Sequence, residues 1–207
     1  MVRKFAILMV CACPVLAAAQ PDVVPQGWFK AGSMPQDYEV GTDRAVRRSG
    51  GASAYVRARV AAPRGFGTVM QAFAADEFRG KRVRLAGYLR TAGVRKWAGL
   101  WMRVDGPERR SPLAFDNMQD RALSGTTEWT RGEIVLDVPP EAVTINFGLL
   151  LEGEGQVWVD DIEIIAVGRE VPTTGHGPRL PSRPRNLDFE RKPPPTMSPL
   201  MKEPHGR

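Results

Sequence analysis

Lys81–Gly106, KRVRLAGYLRTAGVRKWAGLWMRVDG, decides the fold. In Arg82–Arg90 the apolar Val83, Leu85 and Leu89 alternate with Arg82, Arg84, Tyr88 and Arg90. In Trp97–Val104, Ala98, Leu100, Met102 and Val104 occupy one parity, and Trp97, Gly99, Trp101 and Arg103 the other. Side chains on a strand point to opposite faces with a period of two, so each run reads as a strand with one apolar side. The connector Thr91–Lys96 contains Gly93 and is long enough to close an antiparallel pair. The expectation is therefore two strands folded back on each other. With both apolar sides on one core, Tyr88, Trp97, Trp101, Arg84, Arg90 and Arg103 share the opposite face. Two tryptophans and a tyrosine among three arginines make these six the candidate ligand-binding surface. The plainer reading has the tryptophans covered by a loop or by the partner sheet, and a one-residue slip of register would invert the assignment.

The same texture continues on both sides. Ala54–Val60 sets Ala54, Val56, Ala58 and Val60 against Tyr55, Arg57 and Arg59. Gly67–Phe73, Trp129–Val138, Val143–Leu151 and Gln156–Ile165 have ordinary strand lengths and are separated by Gly, Pro, Asp and Asn. No window carries a 3.6-residue apolar stripe; Ala74–Arg79 and Asp116–Leu123 have room for a turn or two of helix. The fold class is all-β, a two-sheet antiparallel β-sandwich of the jelly-roll kind.

The ends differ from this body. Arg3 and Lys4 precede a short apolar run, Phe5–Leu16, and Ala17-Ala18-Ala19 supplies an A-x-A site before Gln20, the pattern of a cleaved signal peptide over residues 1–19. A lipoprotein reading would place the acyl chain on Cys13. The run is too short to span a bilayer, and no later segment qualifies as transmembrane. Export places the protein in the periplasm or outside the cell. Both cysteines, Cys11 and Cys13, lie in this leader, so the mature chain must be stabilised by its core rather than by disulfides. Residues 20–170 read as the domain. Residues 171–207 hold nine of the eighteen prolines, both histidines and one aromatic residue, Phe189, and read as a disordered or polyproline-like basic tail. Within it Asn186–Glu190 (NLDFE) looks more like the start of a strand.

The formal charge of +6 belongs to these ends. Residues 21–170 contain 20 basic and 20 acidic residues, whereas 171–207 contain seven basic and three acidic ones. A neutral body gives no support to nucleic-acid binding. Without Cys or His the body also lacks the usual nucleophile–base pairs and most transition-metal ligands, and no phosphate-cradling glycine loop occurs. Asp105, Asp116, Glu128 and Glu133 are the carboxylates available for glycosidase-type chemistry, but spacing along strands does not fix their separation. The sequence points to a non-catalytic module.

GFGTVMQ (65–71), RGKRVRLAGYLRT (79–91), WAGLWMRVDG (97–106), FDNMQDR (115–121), GTTEW (125–129) and GQVWVDDIEI (155–164) together resemble an uncharacterised bacterial domain found alone or beside regulatory domains. That domain is similar to the galactose-binding-like jelly rolls that include many carbohydrate-binding modules. The looser similarity rests on the jelly-roll pattern, Pro25-Gln26-Gly27-Trp28 and the final VDD strand. In those modules an N-x-x-F-E strand precedes the P-x-G-W; here that motif lies at 186–190, after the body. The resemblance implies a glycan or other polar ligand, with an envelope protein partner or a sensory role as the alternative. It also implies a structural Ca²⁺ near the last strand. Trp158, Ile162 and Ile164 share a parity with Asp160 and look core-facing, and a buried carboxylate needs a partner. Asp160 is the candidate metal ligand; otherwise it accepts backbone N–H groups or pairs with an arginine. The loop Asp116–Arg121 lies where sandwich ligands often bind, but its composition suits a self-bonded turn.

Overall fold

The computed structural model describes residues 24–108 and 111–175; the signal segment, the Asn186–Glu190 motif and nearly all of the tail lie outside them. Among the described residues nine strands form: β1 (Phe29–Gly32), β2 (Tyr38–Asp43), β3 (Ser53–Ala58), β4 (Phe66–Ala74), β5 (Arg82–Asp105), β6 (Ala114–Asp116), β7 (Leu123–Asp137), β8 (Thr144–Glu152) and β9 (Gln156–Val167). In these residues helix is confined to short 3₁₀ turns, two of them at Asp76–Phe78 and Gln119–Arg121, inside the windows the sequence allows for helix. The all-β expectation holds.

The central hairpin does not. Arg82–Asp105 is a single strand of 24 residues that bends at its middle. Its first half pairs antiparallel with β9 through Arg82–Ala92 and with β7 from Arg82 onward. Its second half pairs with β8 through Trp97–Asp105 and with β6 at Met102–Val104. Register shifts against β7 cluster between Leu89 and Ala98, and Gly93 adopts φ 60° there. That left-handed conformation suits glycine. The buried parity passes from Val83, Leu85 and Leu89 to Ala98, Leu100, Met102 and Val104 across this bend. An extra residue in a strand makes this change and turns the chain, as a bulge does.

Strand β5 therefore belongs to both layers. Sheet I runs β2-β3-β9-β5-β7 and sheet II runs β1-β4-β8-β5-β6. Strands β2 and β3 touch β4 and β3 touches β8 without pairing, so the layers pack face to face. One apolar core fills the space between: Tyr38, Val40, Val56, Leu85, Leu89 and Ile134 from sheet I meet Val69, Leu100, Met102, Ile145, Leu149 and Leu151 from sheet II. Burying these chains is the main favourable term in a disulfide-free body. Trp28 joins the margin of that core edge-on to Phe147, ring centroids 5.3 Å apart.

Past β9 the chain continues along the open edge of β7. The Thr174 amide donates to Val135 O (2.9 Å), and the Val135 amide donates to Thr174 Oγ1 (2.8 Å). Arg82 donates to Arg169 O and Val171 O as well as to both carboxylate oxygens of Asp137. Residues 171–175 thus contact β5 and β7.

Candidate functional site

The bend in β5 divides the six-residue surface read from sequence. Arg84, Tyr88 and Arg90 lie on the outer face of sheet I; Trp97, Trp101 and Arg103 lie on the outer face of sheet II. Within each half the alternation assigned the correct side, and no tryptophan of the pair lies between the layers. The composite face does not exist, because the two halves belong to opposite surfaces of the sandwich.

On sheet I, Arg84 lies 3.9 Å from Glu133 and 3.7 Å from Glu163, and Arg90 lies 3.4 Å from Glu128. The Arg48 guanidinium sits 3.5 Å from the Tyr88 ring centroid, covering its face. This surface is a ladder of paired charges, with its cations already engaged by carboxylates or an aromatic face.

Sheet II is different. Its registers place outward-facing residues in rows across β1, β4, β8 and β5. Phe66, Glu152 and Trp97 form one row; Ala31, Thr68, Leu150 and Gly99 the next; Phe29, Met70, Gly148 and Trp101 the third; Ala72, Asn146 and Arg103 the fourth; Ala74, Thr144 and Asp105 the last. Met70, Trp101 and Leu150 form a second apolar cluster on this face, with Ala31, Phe66 and Trp97 against it. The Trp101 indole N–H donates to Thr68 Oγ1 at 2.8 Å. Strand β8 lies between them, so the ring must lie flat across it at Gly148 and Leu150. Gly148 itself is set by its other neighbour: a Cβ there would stand 2.3 Å from Val69 O on β4. Trp101 is 8% exposed, so it is the floor of the strip rather than its main contact surface. Phe29, 46% exposed, and the half-buried Trp97 flank it. The Trp97 indole donates to Glu152 Oε2 (3.0 Å), whose other oxygen accepts from Lys96 Nζ (3.0 Å).

Beyond the aromatic rows is a polar end. Asp105 Oδ2 accepts from Arg103 Nε (3.1 Å), Arg103 Nη2 (2.9 Å) and Asn146 Nδ2 (2.9 Å). These residues, with Ala72, Thr144, Gly106, Ser111, Pro112 and Val143, line a concavity of about 560 Å³. That is within the range of small-ligand sites. Sequence reasoning named Asp105 only as a spare carboxylate and missed Thr68 and Asn146. The signal was there: Thr144, Asn146 and Gly148 alternate with the buried Ile145, Phe147 and Leu149.

The last strand corrects a further expectation. The core-facing residues before the aspartates are Val157 and Val159, not Trp158 and Asp160. Ala86 pairs with Glu163 and Tyr88 with Asp160, so β9 carries one extra residue here, and Asp161 adopts φ 51°. This bulge returns Ile162 and Ile164 to the margin of the core. Trp158 faces outward on sheet I and donates its indole N–H to Asp43 Oδ2 (2.9 Å). Asp160 anchors the Arg44–Gly51 loop: Oδ2 accepts the amides of Arg48 (2.8 Å) and Ser49 (3.1 Å), and Oδ1 that of Asp161 (2.8 Å). Asp161 receives the Ser49 hydroxyl and the Arg48 guanidinium, in that order the main causes holding its carboxyl below the ordinary 3.8. Calcium needs six to eight oxygen ligands turned toward it. Here N–H donors face Asp160, and no group of three His, Cys, Asp or Glu side chains among the described residues is placed to hold a metal. The aspartates do not fit a calcium site.

The loop Asp116–Arg121 is self-bonded, as its composition suggests. Asp116 is fully buried; it accepts the Met118 amide (2.8 Å) and the Arg121 guanidinium (2.7 Å), and Arg121 also donates to Glu133 O. The four carboxylates available for catalysis are dispersed, each beside an arginine: Asp105 by Arg103, Asp116 by Arg121, Glu128 by Arg90 and Glu133 by Arg131.

The two-layer antiparallel sandwich is a jelly-roll fold shared with several solved structures. A chain of the Clostridium thermocellum xylanase 10B comprising CBM22-1 and GH10 modules, complexed with xylohexaose, aligns with TM-score 0.51 and 16% identity over 71% of this chain and 27% of that one. The Stig cyclase FisC of Fischerella sp. TAU aligns with TM-score 0.51 and 15% identity over 74% and 91%. The enzymatically active domain of tailspike protein 4 from bacteriophage CBA120 aligns with TM-score 0.52 and 10% identity over 69% and 20%. At these identities the likeness is one of fold. In sequence, an uncharacterized HTH-type transcriptional regulator of Bacillus subtilis (strain 168), YbfP, is 42% identical over 170 residues, 81% of this chain. The chain spans 57% of that relative's length. No family model matches.

Proposed function

We propose that this chain is an exported, non-catalytic binding module whose ligand is a carbohydrate or a similarly hydroxyl-rich molecule lying on the outer face of sheet II. The observation that carries the reading is the strip itself. Trp101 lies flat as a floor, Phe29 and Trp97 flank it, and a concavity at one end is lined by Arg103, Asp105 and Asn146. Sugars present apolar C–H faces and polar edges together, and a surface with rings beside hydrogen-bonding groups matches both. The fold alone does not choose this function, since a xylanase chain and a cyclase share it. Against catalysis stand the dispersed, arginine-paired carboxylates and the absence of Cys and His from residues 21–170. Neither supplies an activated nucleophile.

The test is a glycan array probed with the full chain and with Trp97→Ala. Wild-type binding that the variant loses supports the reading. Absence of wild-type binding to any glycan overturns it.

A second reading has its own support. The relative named as a transcriptional regulator is longer than this chain, which favours a sensory or protein-interaction module. That name and a signal peptide point to different compartments. Fractionation of the source cells separates them: recovery in the periplasm or medium, with residues 1–19 removed, supports export, and recovery of the uncleaved chain in the cytoplasm overturns it.

A further inference from the structure

The polar end of the strip carries more than a general affinity for sugars. Every donor directed at Asp105 converges on Oδ2. Asp105 Oδ1 has no donor among the described residues. The Asn146 amide nitrogen faces Asp105 Oδ2 and Thr144 Oγ1 (3.4 Å), and its carbonyl Oδ1 has no donor among the described residues. Neither oxygen is among the sealed polar atoms lacking a partner, although Asn146 as a residue is only 8% exposed. Arg103 Nη1 has no acceptor among the described residues. Among the described residues the concavity therefore offers two acceptors and one cationic donor.

An acceptor is satisfied only by a donor. A carboxylate or phosphate brings oxygens without protons, and its charge would meet that of Asp105. Two hydroxyls on neighbouring carbons can each donate to one oxygen, and a hydroxyl lone pair can accept from Arg103. The walls give the direction of approach. Gly106, Ser111 and Pro112 lie beyond the end of β5, and Val143 precedes β8. These residues close the strip beyond Asp105. On the other side it runs back from Arg103 to Trp97, six residues along one strand, or about 20 Å.

We propose that this concavity holds the end residue of an uncharged oligosaccharide, taken by a pair of neighbouring hydroxyls that donate to Asp105 and Asn146, with the rest of the ligand extending along the strip toward Trp97. The proposal rests on the reading of sheet II as the ligand face and names the end and the charge class it selects.

The experiment is isothermal titration of the full chain with the neutral oligosaccharides bound best on the array and with the same oligosaccharides capped by a uronic acid. It is repeated with Asp105→Asn, Asn146→Ala and, on the opposite face, Arg90→Ala, each variant checked by its melting transition. If Asn146→Ala fails to fold, Asn146→Ser takes its place. The expected result is binding of the neutral form and at least tenfold weaker binding of the acid-capped form. Asp105→Asn and Asn146→Ala should each weaken the neutral ligand at least tenfold, with Arg90→Ala unchanged. Equal or tighter binding of the acid-capped form overturns the charge class and leaves the sheet II reading in place. Binding unchanged in Asp105→Asn and Asn146→Ala but lost in Trp97→Ala overturns the end subsite alone. Failure of every glycan to bind wild type overturns both.

Discussion

Trp101 and Thr68 are joined across an intervening strand. The indole N–H of one reaches the hydroxyl of the other at 2.8 Å, and that hydroxyl donates onward to Leu149 O at 2.7 Å. Thr68 is 2% exposed and Trp101 8%, so neither group has ready access to water as a substitute partner. Thr68→Val keeps the shape and removes both bonds, leaving a buried indole donor unsatisfied. The expected cost is about 1–3 kcal/mol in urea unfolding. Gly148→Ala should cost as much or more, because the new methyl group has no space against the β4 backbone. An unchanged unfolding midpoint in Thr68→Val would mean that the Trp101–Thr68 bond is not held across the sheet, and one in Gly148→Ala that β4 and β8 do not pack this closely.

Asp116 and Arg121 make the only described ion pair in which one carboxylate is wholly buried. Removing the carboxylate leaves the Met118 amide without its acceptor and takes from the guanidinium its buried partner, with Asp120 and Glu133 O remaining. Breaking a buried pair costs about 3–5 kcal/mol. Arg121 keeps 31% of its side-chain surface and can turn partly to water, so Asp116→Ala should lose about 2–3 kcal/mol. Asp120→Ala, four residues from the loop's buried anchor and itself exposed, should lose under 1 kcal/mol. Equal losses in chemical denaturation would show that the loop is not held through Asp116.

What the sequence disclosed was local. Alternation sorted Val83, Leu85 and Leu89, and then Leu100 and Met102, onto the correct faces, because parity needs only neighbouring residues. It could not say whether Thr91–Lys96 reverses the chain or merely bends it. That depends on β8 and β9, which supply the partners from 39 (Asp105 to Thr144) to 85 (Arg82 to Val167) residues later in the chain. Hence each half of the six-residue surface faces outward as read, but the halves lie on different layers. The same limit inverted Trp158 and Asp160: one extra residue at Asp160-Asp161 shifts the parity, and nothing in VWVDDIEI marks where. Strands β1 and β6 have four and three residues, too few for a pattern to show. Asn146 was legible as an outward residue on an otherwise buried strand, but its meeting with Asp105 required the register.

The acid response follows from three carboxylates held below 3.8. In Asp137 the main cause is the Arg82 hydrogen bonds; in Asp161 it is the Ser49 hydroxyl, then Arg48. In Asp43 burial pushes upward, but the Val46 amide, the Trp158 indole and the Ala45 amide outweigh it. A carboxyl whose folded value lies below its unfolded one stabilises the fold above the unfolded value, and that contribution is lost as pH falls through the folded value. Urea midpoints should therefore stay level from pH 7 to about pH 5 and fall below about pH 4. Asp43→Asn should lower the neutral midpoint and flatten the acid fall, since Trp158 keeps a weaker acceptor that no longer titrates. A parallel fall in variant and wild type would remove Asp43 from this account. In the same melts, calcium and chelator should give superimposable transitions, because N–H donors already face Asp160.

Residues 171–175 provide a check on where the folded body stops. Thr174 exchanges hydrogen bonds with Val135 on the open edge of β7, and Val171 O receives Arg82, whose other contacts reach Asp137. An unpaired strand edge exposes amide and carbonyl groups that invite association, and this segment covers part of it. A chain ending at Glu170 loses those bonds, whereas one ending at Gly175 keeps them. The shorter chain should melt several degrees lower, equivalent to about 1–2 kcal/mol for two to three backbone-type hydrogen bonds. It should also self-associate more at high concentration, visible by light scattering. Thr174→Val in the full chain isolates the hydroxyl: the Thr174 amide still reaches Val135 O, so only part of the loss should appear. Identical melting of the two truncated chains would place the boundary at Glu170, where composition first put it.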